Sequence, residues 1–150
     1  TLASAGRDNE IAYVPGRSTS TFFTRDAAMA VMDQILIGRM AKPVRSRESI
    51  IMEAIFTHRP RFSVNTVNPL DQKHPDPRAT IEGGDLLVAR DDVLVIGNGS
   101  RTSTQGIDFV IERLKAQKDR LRHILVQELP HSPESFIHLD MVFTRTVADS

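Results

Sequence analysis

Four short runs in the chain concentrate side chains able to hold a cation or move a proton: Phe23-Thr-Arg-Asp26, Glu82-Gly-Gly-Asp85, Gly97-Asn-Gly-Ser-Arg101-Thr and His138-Leu-Asp140. Three of them end in Asp. Brought together, Asp26, Asp85 and Asp140 with Glu82 would form an anionic pocket whose natural guest is a cation. A planar guanidinium suits paired carboxylates because two parallel N–H···O bonds form at once. His138 and Asp140 stand at i and i+2, so on a strand both side chains leave one face. A histidine beside carboxylates has its charged form favoured, which suits proton transfer near neutral pH. Each feature also has a plainer reading: the aspartates accept backbone N–H bonds at turns, Gly83 and Gly84 permit a tight turn, and His138 serves the structure. A metal site built from His138, Asp140 and Glu82 is not expected, since carboxylates this numerous need a hard ion and no ligand-spacing motif supports one. Arg45 and Arg101 suit either an anion contact or a solvated loop. His58, His74, His123 and His131 fall in helix ends or polar loops and read as surface residues.

The elements that must position these residues come from an internal repeat. Asp26 to Gly38 reads as a hairpin interrupted by the polar pair Asp33-Gln34, and Asp85 to Gly97 repeats it, with both the Asp and the Gly positions displaced by 59 residues. Ser46 is placed to cap a first helix carrying Ile51, Ala54 and Ile55 at helical spacing, and Ile107, Val110, Ile111 and Leu114 mark a second. Arg45 and Arg101 each lie between the second strand and the helix of their own unit. Each helix is followed by an extended run ending in proline, Phe62–Pro69 and His123–Pro130. The unit is strand, strand, helix, strand, spanning 22–70 and 81–131, and a third opens at 136–150 with Asp140-Met-Val-Phe read as a strand. Units of this length form arrays or rings in which each buries its face on the next. Equivalent ends of such units gather around one axis, which would bring Asp26, Asp85 and Asp140 together with Glu82 and His138. The alternative is that two ordinary βαβ-like segments resemble each other by chance.

Composition narrows the function classes. The chain has 150 residues, 40% of them apolar and 25% charged, with nineteen basic residues against nineteen acidic ones. A domain of this size buries roughly 68–70% of its unfolded surface and needs no covalent staples. There is no Cys, so disulfides, thiolate ligands and a cysteine nucleophile are all excluded within these residues. Neutral charge, one Tyr and no Trp supply neither a basic stripe nor stacking rings for nucleic acid, and no apolar run is long enough to span a bilayer. The chain begins at Thr1 with no signal-peptide layout, so a cytoplasmic location is expected. A strand expected at Met141–Thr146 would leave an open edge, which points to a piece of a longer protein or to one completed by self-association.

The four runs, in order and spacing from Phe22 to Thr144, resemble the motifs of arginine deiminase, a member of the guanidine-modifying enzyme superfamily. The resemblance implies an α/β fold, the pentein-type α/β propeller of five strand-strand-helix-strand units, of which this chain would hold about two and a half. It implies hydrolysis of L-arginine to citrulline and ammonia through a covalent cysteine intermediate, without a cofactor. By motif, Asp26 and Asp140 would bind the substrate guanidinium, and His138 paired with Glu82 would be the general acid/base. Asp85 would lie beside the substrate, while Arg45, in an Arg45-x-x-Glu48 pattern, and Arg101 would hold its carboxylate. One position departs from the family: Ser20 stands where members usually carry Asn, which bears on substrate choice. The family's cysteine comes from near the C-terminus of a longer chain, so these residues alone are expected to be inactive. A second expectation, from another class, is a non-catalytic guanidine-binding or assembly module. A third is a bare α/β domain with decorative carboxylates.

Overall fold

The computed structural model describes residues 23–59, 61–62, 64–115 and 120–143. Within them the chain forms a mixed α/β structure with two small sheets of the same topology. A single helical turn, α1 (Thr24–Ala27), leads into the hairpin β1 (Ala28–Val31) and β2 (Gln34–Ile37). A 3₁₀ turn at Pro43–Arg45 feeds helix α2 (Ser46–His58), and β3 (Asn65–Val67) returns to pair parallel with β2. The pattern recurs with a 3₁₀ turn at Gly83–Asp85, the hairpin β4 (Leu86–Arg90) and β5 (Val93–Asn98), helix α3 (Thr104–Leu114) and β6 (His123–Glu128), which pairs parallel with β5. The sheet orders are β1-β2-β3 and β4-β5-β6. Ser20 lies outside the described residues.

The two helices are held by different physics. Ser103 Oγ caps α3 by accepting the Gly106 N–H at 3.2 Å, and Ile107, Val110 and Leu114 are buried with Leu94 and Ile96 of β5 in one core. Each such side chain contributes about 1.5–3 kcal/mol. On α2 the buried residue is Glu48, while Ile50 and Ile51 are exposed. The expected cap at Ser46 is not made: Ser46 is the first helical residue, Arg45 precedes it in helical backbone, and no side chain caps that end. The 3₁₀ turn before it supplies the entry geometry instead. Arg59, extended because it precedes Pro60, ends the helix.

Two further expectations need correction. The first hairpin turns at Met32–Asp33, one residue earlier than the polar pair, because Met32 adopts φ 57°. Met141 closes a 3₁₀ turn at Leu139–Met141, and Val142 and Phe143 follow it outside any strand. The remainder of that expected strand lies outside the described residues. Among the described residues no helix is long and apolar enough to cross a membrane.

Candidate active site

Three one-turn helices pack together, α1 against the Gly83–Asp85 turn and that turn against Leu139–Met141. In each, a backbone N–H reaches back three residues: Asp26 to the Phe23 carbonyl at 3.1 Å, Asp85 to Glu82 at 3.0 Å and Met141 to His138 at 3.2 Å. The residue entering each turn is not helical, and Glu82 (φ −120°, ψ 143°) and His138 (φ −134°, ψ 151°) are extended there. Extended backbone at the entry aims both side chains inward, and both are buried. The turns also hold one another. Asp26 Oδ1 accepts the Gly84 N–H at 3.0 Å, and Asp85 Oδ1 accepts the Leu139 N–H at 2.9 Å. The plainer reading of these aspartates as acceptors of backbone N–H groups is therefore realised for one oxygen of each. The accepted group belongs to the next turn, 58 and 54 residues away.

Glycine is required where the turns touch. A Cβ on Gly83 would lie 1.8 Å from the Arg25 carbonyl oxygen, and one on Gly84 would lie 2.7 Å from Cγ of the His138 ring. The extended segment carrying Glu82 is fixed from both sides. Arg39 and Ile81 exchange backbone bonds at 2.9 Å, the Ala41 N–H donates to Glu82 Oε1 at 2.9 Å, and the Glu82 N–H donates to Thr102 Oγ1 at 3.2 Å.

At the centre, His138 Nε2 lies 3.0 Å from Glu82 Oε2. Asp26, Glu82 and His138 each offer a polar atom within 4.8 Å of the others, and all three are buried. Asp26 lies with His138 and Glu82, whereas Asp140 is not in that trio. His138 and Asp140 do not share a strand face, because the chain turns helically between them. Backbone equivalence puts Met141, not Asp140, at the position of Asp26 and Asp85. Asp140 instead meets Arg25 Nη1 at 3.5 Å at a half-exposed edge.

The two arginines singled out by position both turn toward these carboxylates. Arg45 Nη1 donates to Asp26 Oδ2 at 3.0 Å and to Glu82 Oε2 at 3.2 Å, while Nε and Nη2 fork onto Glu48 at 3.0 and 2.9 Å. Arg101 Nη1 lies 3.6 Å from Glu82 Oε2. Glu48, whose only sequence signal was its place three residues after Arg45, is 5% exposed and proves central to the arrangement. Thr102 closes the Gly97–Thr102 run, where the sequence assigned it no role of its own. The trio Asp26, Glu82 and His138 has donors suited to a cation, and the Arg45 guanidinium already bridges two of its carboxylates.

The charges follow from these contacts. Burial would push His138 down, but the hydrogen bond to Glu82 and the charges of Asp26, Asp85 and Glu82 outweigh it and hold the imidazole above its ordinary value. Burial would push Glu82 up, yet His138, the Ala41 N–H and Arg101 keep it below the usual carboxylate range. For Asp85 burial wins over the Thr102 hydroxyl and the Leu139 N–H, and its carboxyl is pushed up to about 6. The Glu48 fork, with Asp26, holds Arg45 firmly protonated against the cost of its burial. The arrangement can thus present carboxylates to a cation and hold an exchangeable proton on His138.

This geometry sits on a chain whose residues 3–150 match the arginine deiminase family profile. The chain belongs to the arginine deiminase family. Arginine deiminase of Listeria welshimeri is 37% identical over 123 residues, covering 82% of this chain and 30% of that protein. The enzyme of Bacillus cereus is 38% identical over 124 residues, covering 82% and 29%. The chain therefore spans about 30% of the length of these relatives. Among solved structures, the product-bound N-terminal domain of ArgZ, an arginine dihydrolase from cyanobacteria, superposes with a TM-score of 0.61 at 22% identity over 79% of this chain and 38% of that one. The dimethylarginine dimethylaminohydrolase of Pseudomonas aeruginosa, complexed with citrulline, gives 0.57 at 21% identity over 72% and 38%. These establish a shared fold with guanidine-modifying enzymes.

Proposed function

We propose that this chain supplies the guanidinium-binding and acid/base half of an arginine deiminase site, which releases ammonia from L-arginine to give citrulline. The observation that carries the reading is the buried His138–Glu82 pair, 3.0 Å apart, with Asp26 beside it. In this reading Asp26 and Asp140 receive the substrate guanidinium, His138 shuttles the proton with Glu82 as its partner, and Asp85 borders the substrate. Arg45 and Arg101 meet its carboxylate. The nucleophile is a cysteine from polypeptide outside these 150 residues, which contain no Cys. That division accords with the chain's coverage of about 30% of its relatives. We further propose that the two sheets are successive blades of an α/β propeller, spanning 22–70 and 81–131, and that a third begins at 136.

Titration calorimetry with L-arginine, followed by a citrulline assay, tests the reading. The chain is expected to bind L-arginine without turning it over, and Asp26→Ala is expected to abolish binding. In a polypeptide that carries this segment together with the cysteine-bearing remainder, Asp26→Ala or His138→Ala abolishes citrulline formation. Near-normal turnover in either variant overturns the assignment. Binding by a longer natural chain that never turns over would favour the non-catalytic module.

A further inference from the structure

The segment Glu82–Asp85 governs His138 from three directions. Glu82, which enters the Gly83–Asp85 turn, meets the ring at Nε2, 3.0 Å away. Gly84, inside the turn, lies so close to the ring that a Cβ there would stand 2.7 Å from Cγ. Asp85, which closes the turn, reaches the backbone instead. Its Oδ1 accepts the Leu139 N–H at 2.9 Å, in the peptide unit directly after His138. The first two contacts set where the ring lies, and the third sets where the chain carrying the ring lies. Gly97 of β5 leaves room for this third contact, since a Cβ there would stand 2.8 Å from Asp85 Oδ1 and 3.0 Å from Leu139 Cβ.

Asp26 holds the preceding turn by the same kind of bond, through the Gly84 N–H at 3.0 Å. The two aspartates differ in what else they do. Asp26 gives its other oxygen to Arg45 at 3.0 Å and keeps a small exposure. Asp85 is fully buried, and its second oxygen meets no arginine or lysine among the described residues. A carboxyl enclosed in this way has no face left for a ligand arriving from solvent, so its influence on the site passes through the Leu139 N–H.

We infer that Asp85 is a positioning residue for the proton transfer: by holding the Leu139 N–H it keeps His138 in register with Glu82 and Asp26. The inference deepens the proposed function and rests on its assignment of His138 as the acid/base; Asp85 borders the substrate and acts without touching it. A working site must be held to about 0.5 Å, and a peptide unit anchored beside the acid/base supplies that constraint. Loss of the bond leaves a buried N–H unsatisfied and frees the Leu139–Met141 turn to carry the ring away from Glu82.

The test is an NMR titration of His138 in the 150-residue chain, with calorimetry of L-arginine binding, on wild type, Asp85→Asn and Asp85→Leu. The two replacements are similar in size and discard the same charge, so any lowering of the His138 midpoint caused by the lost Asp85 charge is common to both. Only asparagine keeps an oxygen for the Leu139 N–H. Asp85→Leu is expected to titrate His138 at lower pH than Asp85→Asn does, and to bind L-arginine on the order of ten-fold more weakly. Gly97→Ala keeps Asp85 but crowds its Oδ1, and is expected to lower the His138 midpoint below that of wild type. Equal midpoints and equal affinities in Asp85→Asn and Asp85→Leu overturn the inference, because the charge or the bulk of Asp85 would then matter and not its bond. An unchanged midpoint in Gly97→Ala overturns it as well. Failure of wild type to bind L-arginine, with the His138 midpoints ordered as expected, removes the proposed function while the link from Asp85 to His138 stands.

Discussion

Glu82 and His138, 56 residues apart, place Oε2 and Nε2 3.0 Å from each other in a buried setting, with Asp26 and Asp85 adding negative charge around the ring. The hydrogen bond works in opposite directions on its two ends, holding the imidazole up and the carboxyl down. The His138 contribution to stability is present below the ordinary imidazole pKa and is lost as pH rises through its raised folded value. The Glu82 contribution is present above the ordinary carboxylate pKa and is lost as pH falls through its lowered folded value.

Glu82→Gln removes the carboxylate partner while the burial of His138 remains. The imidazole pKa of His138, followed by NMR titration, is expected to fall below its wild-type value. A titration superimposable on wild type would mean that the pair is not formed in solution.

Asp85 is an acid whose folded pKa, about 6, lies above its unfolded value near 3.8. Its favourable contribution is therefore complete below the unfolded pKa and is lost as pH rises through 6. The shift of roughly two units corresponds to about 3 kcal/mol. Asp85→Asn keeps an oxygen for the Leu139 N–H and discards the buried charge, so the variant is expected to gain stability over wild type between pH 4.5 and 7.5. Urea unfolding midpoints at those two pH values measure it, and a pH-independent difference would contradict the burial argument.

Gly84→Ala would drive a methyl group into the His138 ring at 2.7 Å. Overpacking of this kind costs about 1–3 kcal/mol. Displacement of the ring from Glu82 is expected to lower the His138 pKa as well, so a loss of stability without a change in that titration would show that the turn had moved instead.

Ser103 joins the 78–80 segment to the start of α3: its Oγ accepts the Gly106 and Thr80 N–H groups and donates to the Arg78 carbonyl. Ser103→Ala removes the α3 cap and is expected to cost about 1–2 kcal/mol. Thermal unfolding checks the magnitude. Ser46→Ala, at the head of α2 where no side chain caps the helix, is expected to shift the midpoint far less.

The hairpins, both long helices and the returning strands were legible in the chain because each is a local pattern: alternating apolar residues, helical spacing at Ile107, Val110 and Leu114, and proline at the ends. The motifs were legible too, and with them the chemical character of Glu82, His138 and Asp26. Which residues meet was not. Asp140 reads as a third member of the Asp26 and Asp85 series at nearly the same spacing. A helical turn that begins one residue differently hands the equivalent place to Met141 and leaves Asp140 with Arg25. Arg45 reads as a loop cation available to an anion, and only the approach of α1, the Glu82 segment and α2 shows it bound to Asp26, Glu82 and Glu48. Local sequence determines backbone conformation because those preferences act within a few residues. The partners of a buried charge are decided by segments 37 or 56 residues distant, through desolvation and the demand that every buried charge find its opposite.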